Sequence, residues 1–186
     1  MRRVRYVVAM SLDGYIAGPN GEADWIIMDP EIDFQALFEQ FGTFLMGRRT
    51  FEGMGGAGGN GQPVVQTIVF SRTMRQQDYP NLTIVSETPE QALAELRSKP
   101  GKDIWLFGGG SLFPSLLEAR LVDAVEVAVI PALLGEGISL LPPKHSSEQF
   151  KLKLASSRTC KTGIVLLEYA VEYEPAWSSF TEVRGR

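Results

Sequence analysis

Three short stretches of this 186-residue chain carry residue types suited to holding an anion. The first is Gly108-Gly109-Gly110, between the apolar run 103–107 and a helix-like segment opening at Ser111 and Leu112. Glycine loses more conformational freedom on folding than any other residue, so three in a row at a strand exit need a reason. A tight turn with positive φ accounts for one or two. The third points to a ligand that approaches the backbone closely, as phosphate does at the start of a helix. The second stretch, Gly47-Arg48-Arg49-Thr50, again joins a strand to a short helix and adds two permanently charged, forked donors. Alone, it fits a solvated arginine pair equally well. The third, Ser71-Arg72, stands just past another apolar run. Three polar strand ends along one sheet edge suit a pyrophosphate with a further phosphate some distance away. The motif is neither a P-loop nor an ordinary dinucleotide turn: no G-x-x-x-x-G-K-[ST] occurs, and Phe113 stands where G-x-G-x-x-G needs its last glycine.

Hydrophobic patterning supplies the elements that must position these residues. Residues 4–10, 43–47, 66–71, 82–86 and 103–108 read as buried strands, with helices expected over 48–54, 88–99 and from Ser111 onward. A further helix is expected to start at Asp29 as N-cap with Pro30 as its first residue, and to run to about Gln40 through Phe34, Leu37 and Phe38. Strand and helix in alternation imply a mostly parallel sheet, whose ligands bind at the carboxyl ends of the strands. From Asp123 the rhythm changes to strands over 123–135, 150–159 and 163–173 without helices between them, which predicts an antiparallel far edge.

Composition bounds the rest. With 44% hydrophobic and 22% charged residues, the chain fits one domain over 1–174 and a tail over 175–186. Trp177 and Phe180 in that tail point to docking on the body or on a second subunit, so a homodimer is one expectation. A net charge of -4 gives no basic field for a nucleic acid or an anionic membrane, and no apolar run is long enough to span a bilayer. One cysteine, Cys160, and one histidine, His145, exclude a disulfide framework and offer no zinc cluster, so no metal is expected and a cytoplasmic location is. Met10, Met28, Met46 and Met54 lie on apolar segments and read as packing residues.

The motifs "MGRRTFE", "VFSRT", "WLFGGGSLF" and "LLGEGISLLP", in that order, closely resemble the dihydrofolate reductase superfamily. "SLDGYIA" near the start is similar to the reductase domain of riboflavin biosynthesis. The resemblance covers residues 4–173. It implies a three-layer α/β/α fold around a mostly parallel, mixed eight-stranded sheet with an antiparallel edge, and NADPH as cofactor. Ala9 and Ile16 would then border the nicotinamide, while Gly47, Arg48, Arg49 and Thr50 hold the pyrophosphate and adenosine side. Ser71 and Arg72 would receive the 2′-phosphate. Phe107, Gly108, Gly109, Gly110, Ser111 and Leu112 would follow the pyrophosphate from the other side, with a cis peptide between the first two glycines. Ser139 matches a polar residue that reaches the cofactor. On the substrate side the resemblance implies Trp25 and Phe113. The proton source is an early-helix acid, with Asp33 preferred, Asp29 read also as an N-cap, and Glu31 as a solvated charge. Asp13 reads as a turn residue. The implied activity is NADPH-dependent reduction of a small pterin- or pyrimidine-like heterocycle. The alternatives are 5-amino-6-(5-phosphoribosylamino)uracil reduction and a non-catalytic NADPH-binding module.

Overall fold

Residues Val4–Ser11 are apolar or small except for Arg5, a pattern suited to an extended segment covered on both faces. They form β1, in the interior of an eight-stranded sheet. The computed structural model describes residues 1–55, 65–142 and 149–173. The remaining elements in chain order are β2 (Tyr15–Ala17), α1 (Phe34–Phe38), β3 (Phe41–Gly47), α2 (Arg48–Gly53), β4 (Gln66–Phe70), β5 (Thr83–Val85), α3 (Pro89–Ser98), β6 (Asp103–Gly108), α4 (Leu112–Glu118), β7 (Ala124–Ile130), β8 (Ile138–Ser139), β9 (Lys151–Thr159) and β10 (Val165–Glu172). The sheet order is β5-β4-β3-β6-β1-β7-β10-β9, and β2 and β8 form a separate two-stranded ribbon. Pairing from β5 to β7 is parallel, whereas β10 runs antiparallel to both β7 and β9. The three-layer α/β/α sandwich and the antiparallel edge are those implied by the motifs.

Alternation along each strand separates two cores. On one face Tyr6, Leu45, Ile104, Leu106 and Val125 meet Leu93 and Leu96 of α3 and Leu112, Phe113, Leu116 and Leu117 of α4. On the other, Phe44, Met46, Val69 and Trp105 meet Phe51 of α2, with Leu37 and Phe38 of α1 packed against them. A third cluster, Ile130, Cys160 and Ile164, draws in Ala9, Trp25, Ile26, Ile32, Ala128 and Leu166. Each fully buried aliphatic side chain contributes roughly 1.5–3 kcal/mol relative to an exposed one.

The first helix departs from expectation. It begins at Phe34, and its N-cap is Asp33, whose Oδ1 accepts from the Ala36 N–H at 2.9 Å. Asp29 is instead a buried tie: it accepts from the Glu31 N–H and from both the N–H and the hydroxyl of Thr162. Those three bonds hold residues 29–32 against the turn between β9 and β10, so the helix starts one turn late. Met28 and Met54 also depart from the packing role, being 66% and 40% exposed. The tail over 175–186, with Trp177 and Phe180, and His145 lie outside the described residues.

Tyr6 is wholly buried and stacks on Phe113 with centroids 4.0 Å apart, yet its hydroxyl finds no partner among the described residues. Burial pushes its phenol well above the ordinary range. A buried donor without a partner costs about 1–3 kcal/mol, while removing it keeps the ring stack intact. Tyr6→Phe should therefore stabilise the protein by about 1 kcal/mol, raising Tm by roughly 2–4 °C in a thermal melt. A lowered Tm would show that the hydroxyl is satisfied.

Candidate functional site

Because β4, β3, β6, β1 and β7 are parallel, their carboxyl ends share one edge, and the loops that follow them meet there. A cleft of about 1920 Å³ runs from that edge across the second face of the sheet. Its strand-end portion is lined by Gly47, Arg48, Arg49 and Thr50, by Ser71 and Arg72, and by Phe107, Gly108, Gly109, Gly110, Ser111 and Leu112. Ala9 and Ile16 line it farther in. The three stretches singled out by residue type thus face one space.

Backbone geometry explains the three glycines individually. Gly108 has φ 137, a region L side chains rarely adopt. Gly109 and Gly110 lie in ordinary backbone, but a Cβ on Gly109 would stand 3.1 Å from Thr50 Oγ1, and one on Gly110 3.0 Å from Ile138 Cγ2. The first glycine makes the turn. The other two keep the backbone bare where α2 and β8 crowd it. The pairing of β3 with β6 also shifts register here, matching Leu45 with Leu106 and Met46 with Gly108, so Phe107 is an extra residue where the strand meets the cleft. All described peptide bonds are trans. The cis bond expected between Gly108 and Gly109 is absent, and the positive φ of Gly108 turns the chain instead.

The cations have different surroundings. Arg48 pairs with Glu52 one turn along α2, at 3.0 Å. Arg49 and Arg72 are exposed and make no ion pair with a described residue. Ser71 is 8% exposed, and its hydroxyl accepts from the Thr73 and Met74 N–H groups. It therefore shapes the turn that presents Arg72.

Four residues expected at the site lie elsewhere. Phe113 of α4 is 3% exposed and stacks on Tyr6, on the face of the sheet opposite α1 and α2. Trp25 packs in the third cluster, and its indole N–H donates to the Glu22 carbonyl at 3.1 Å. Asp29 is 2% exposed and off the cleft wall. Thr162 and the Glu31 N–H hold its carboxyl below the usual carboxylate range. Ser139 pairs with Tyr15 in the β2–β8 ribbon and is not on the wall. Asp33 does line the cleft and is exposed. The ligand atoms of Asp29, Glu31 and Cys160 lie within 4.8 Å of one another, but Glu31 pairs with Lys161 and the Asp29 oxygens are occupied by Thr162 and Glu31. The cluster reads as a structural tie.

Residue types missed from the sequence complete the far end of the cleft: Trp105, Glu126, Ala128, Leu166 and Glu168. A signal existed for two of them. Glu126 in "AVEVAVI" and Glu168 in "VLLEYAVE" each interrupt an apolar strand, and a charge there demands a partner or a ligand.

Asp13 ties together the loops that follow β1 and β7. Its carboxylate accepts from the Ser11 hydroxyl at 2.6 Å, the Gly135 N–H at 2.7 Å and the Leu134 N–H at 3.1 Å. Hydrogen bonds from Ser11 and Gly135 lower its pKa from 3.8 to about 2. A carboxyl depressed on folding stabilises the fold above its unfolded value, and that contribution fades as pH falls from about 5 toward 2. Asp13→Asn should lower Tm at neutral pH, with the gap to the parent protein closing in melts between about pH 4 and pH 2.5. A gap independent of pH would remove the carboxylate from this role.

The family model described as RibD C-terminal domain matches residues 2–166. YyaP of Bacillus subtilis (strain 168) is 35% identical over 180 residues, covering 90% of this chain and 94% of that protein. Among solved structures, a Shewanella sp. PV-4 protein attributed to riboflavin biosynthesis superposes with TM-score 0.77 at 24% identity, covering 92% of this chain and 99% of that one. Dihydrofolate reductase from Enterococcus faecalis, solved with NADP(H), superposes with TM-score 0.63 at 21% identity, covering 91% and 94%. At these identities the two structures show the shared fold.

Proposed function

Since the chain belongs to the RibD C-terminal domain family, with the dihydrofolate reductase-like fold, we propose that it is an NADPH-dependent reductase of a small pterin- or pyrimidine-like heterocycle. One observation carries this reading: three separate strand ends deliver Arg48, Arg49, Arg72 and the bare backbone of Gly108 to Gly110 to a single cleft. That cleft continues into an apolar slot over Ala9, Ala128 and Leu166. No helix among the described residues is long and apolar enough to cross a membrane.

The residues fit the cofactor. Gly109 and Gly110 border a cradle that side chains at those positions would crowd. Arg48, Arg49, Thr50, Ser111 and Leu112 would hold the pyrophosphate, and Arg72, presented by the Ser71 turn, the 2′-phosphate. When bound, the cofactor supplies a hydride. The chain's own work is to orient the acceptor, exclude water and provide a proton. Ala9, Ala128 and Leu166, packed beside Ile26, Ile32 and Ile130, make an apolar floor from which a bound ring would displace water. Asp33 lines the same cleft and would supply the proton. Capping α1 engages one of its two oxygens and leaves the other free.

Titrating NADPH and NADH into the protein by calorimetry tests the site. Arg72→Ala should weaken NADPH by on the order of tenfold or more, the loss of a charge-assisted bond, and NADH much less, whereas Arg48→Ala should weaken both. Equal weakening by Arg72→Ala would count against the 2′-phosphate assignment. Turnover is read from NADPH absorbance with pterins and aminopyrimidines as acceptors, 5-amino-6-(5-phosphoribosylamino)uracil among them. An absence of turnover with all of them, despite tight NADPH binding, would favour a binding module.

Asp33→Asn separates chemistry from folding, because asparagine caps a helix as well as aspartate does. The variant should keep its Tm and NADPH affinity while turnover drops about a hundredfold or more. An unchanged rate would remove Asp33 from proton delivery.

A further inference from the structure

The sheet floor of the cleft is ruled into rows by strand register. Ala9 pairs with Ala128, and Ala128 with Leu166. Two residues back toward the start of β1, Val7 pairs with Glu126, and Glu126 with Glu168. All six residues line the cleft. Successive side chains alternate between faces at about 3.3 Å per residue, so these two rows share a face and stand roughly 7 Å apart.

The two rows differ in chemistry. The first is small and apolar. In the second, two carboxylates face each other across neighbouring strands, an arrangement that is destabilising unless charge is supplied. Arg5 supplies it, 5% exposed, with Nε and Nη2 on the two Glu126 oxygens at 2.5 and 2.8 Å. Its Nη1 donates to Gln40 Oε1 at 2.8 Å and lies 3.5 Å from Asp103 Oδ2. Every nitrogen of that guanidinium is thus committed to protein. Among the described residues, Glu168 accepts a hydrogen bond from the Ser156 hydroxyl alone, at 3.2 Å. Arg3 and Arg5 form their ion pairs with Asp103 and Glu126, and Glu168 lies near enough to Arg5 to feel its charge without pairing with it.

We propose that Glu168, buttressed by the Arg5–Glu126 pair, is a specificity-determining residue that selects substrates carrying amino or ring N–H donors about one ring's length from the reducible bond. The inference rests on the reductase reading, which sets the reducible carbon over the Ala9 row. A ring lying there extends its far edge over the carboxylate row, where the Glu168 carboxylate rewards donors and disfavours carbonyl, carboxylate or phosphate groups. An anionic tail on the substrate must leave the cleft in another direction.

The test compares two pyrimidines of one shape with opposite hydrogen-bonding edges, 2,4-diaminopyrimidine and uracil, each titrated calorimetrically into the cofactor-free protein. The parent protein should prefer the diamine at least tenfold. Glu168→Leu should abolish that preference by weakening the diamine about tenfold or more, with uracil affinity, NADPH affinity and Tm unchanged. Glu168→Gln, which keeps the shape but adds an N–H pair, should fall between, and it decides the matter if the leucine variant folds poorly. A parent protein that binds uracil as well as the diamine, or binds neither, overturns the proposal, as does a preference that survives both substitutions. Failure to bind NADPH would instead strike the reductase reading, and it is measured in a separate titration.

Discussion

The site depends on an unequal covering of the two sheet faces. On one side α3 and α4 lay ten and seven residues over β1, β6 and β7 and close that face. On the other, α1 has only five residues. Three hydrogen bonds on the Asp29 carboxylate fix residues 29–32 against the β9–β10 turn, so the helix begins about one turn later than Pro30. Ile26 and Ile32 of the segment before it pack with Ala9 and Ala128 and line the cleft with them.

The sheet was legible because its strands alternate or run apolar at the lengths strands require, and because glycines punctuate them. The same signals placed Arg48, Arg72 and Gly108 to Gly110 at neighbouring strand ends, and the structure sets them on one cleft wall. What the sequence did not disclose was local competition for hydrogen bonds. Asp29-Pro30-Glu31 has the local form of a helix start, yet Thr162, 133 residues away, claims the Asp29 side chain. No window-based signal holds that information. Phe113 failed for a related reason. Its place after the glycine run said nothing about which way α4 turns, and the stack on Tyr6 takes the ring to the opposite face. Glu126 and Glu168 were visible as anomalies in apolar strands, but their shared face follows only from the β7–β10 register.

Charge divides the cleft into two ends with separate tasks. Arg48, Arg49 and Arg72, with Glu52, stand at the strand exits, and Glu126 and Glu168 lie on the floor, where Arg158 is the register partner of Leu166, in a chain whose net charge is only -4. The separation follows from burial. The exit arginines are exposed, where a guanidinium keeps its hydration and waits for an anion at little cost. The floor carboxylates sit in a half-buried row, where a charge is tolerable only if a partner is built in, and Arg5 is that partner. Exchanging the signs would fail at both ends, since unpaired arginines on the floor would be desolvated and acids at the exits would repel phosphate.

That polarity also constrains orientation. A ligand with an anionic end and a donor-rich end has one favourable way to lie in the cleft, and two ligands sharing it must meet where the charge changes sign. On the reductase reading the meeting place is the row of Ala9, Ala128 and Leu166, where two alanines leave room between the ends. Under that reading, electrostatics at the extremities and low bulk in the middle favour one position for the reacting atoms. Precision there comes from strands with neighbours on both sides, which hold it more rigidly than any loop.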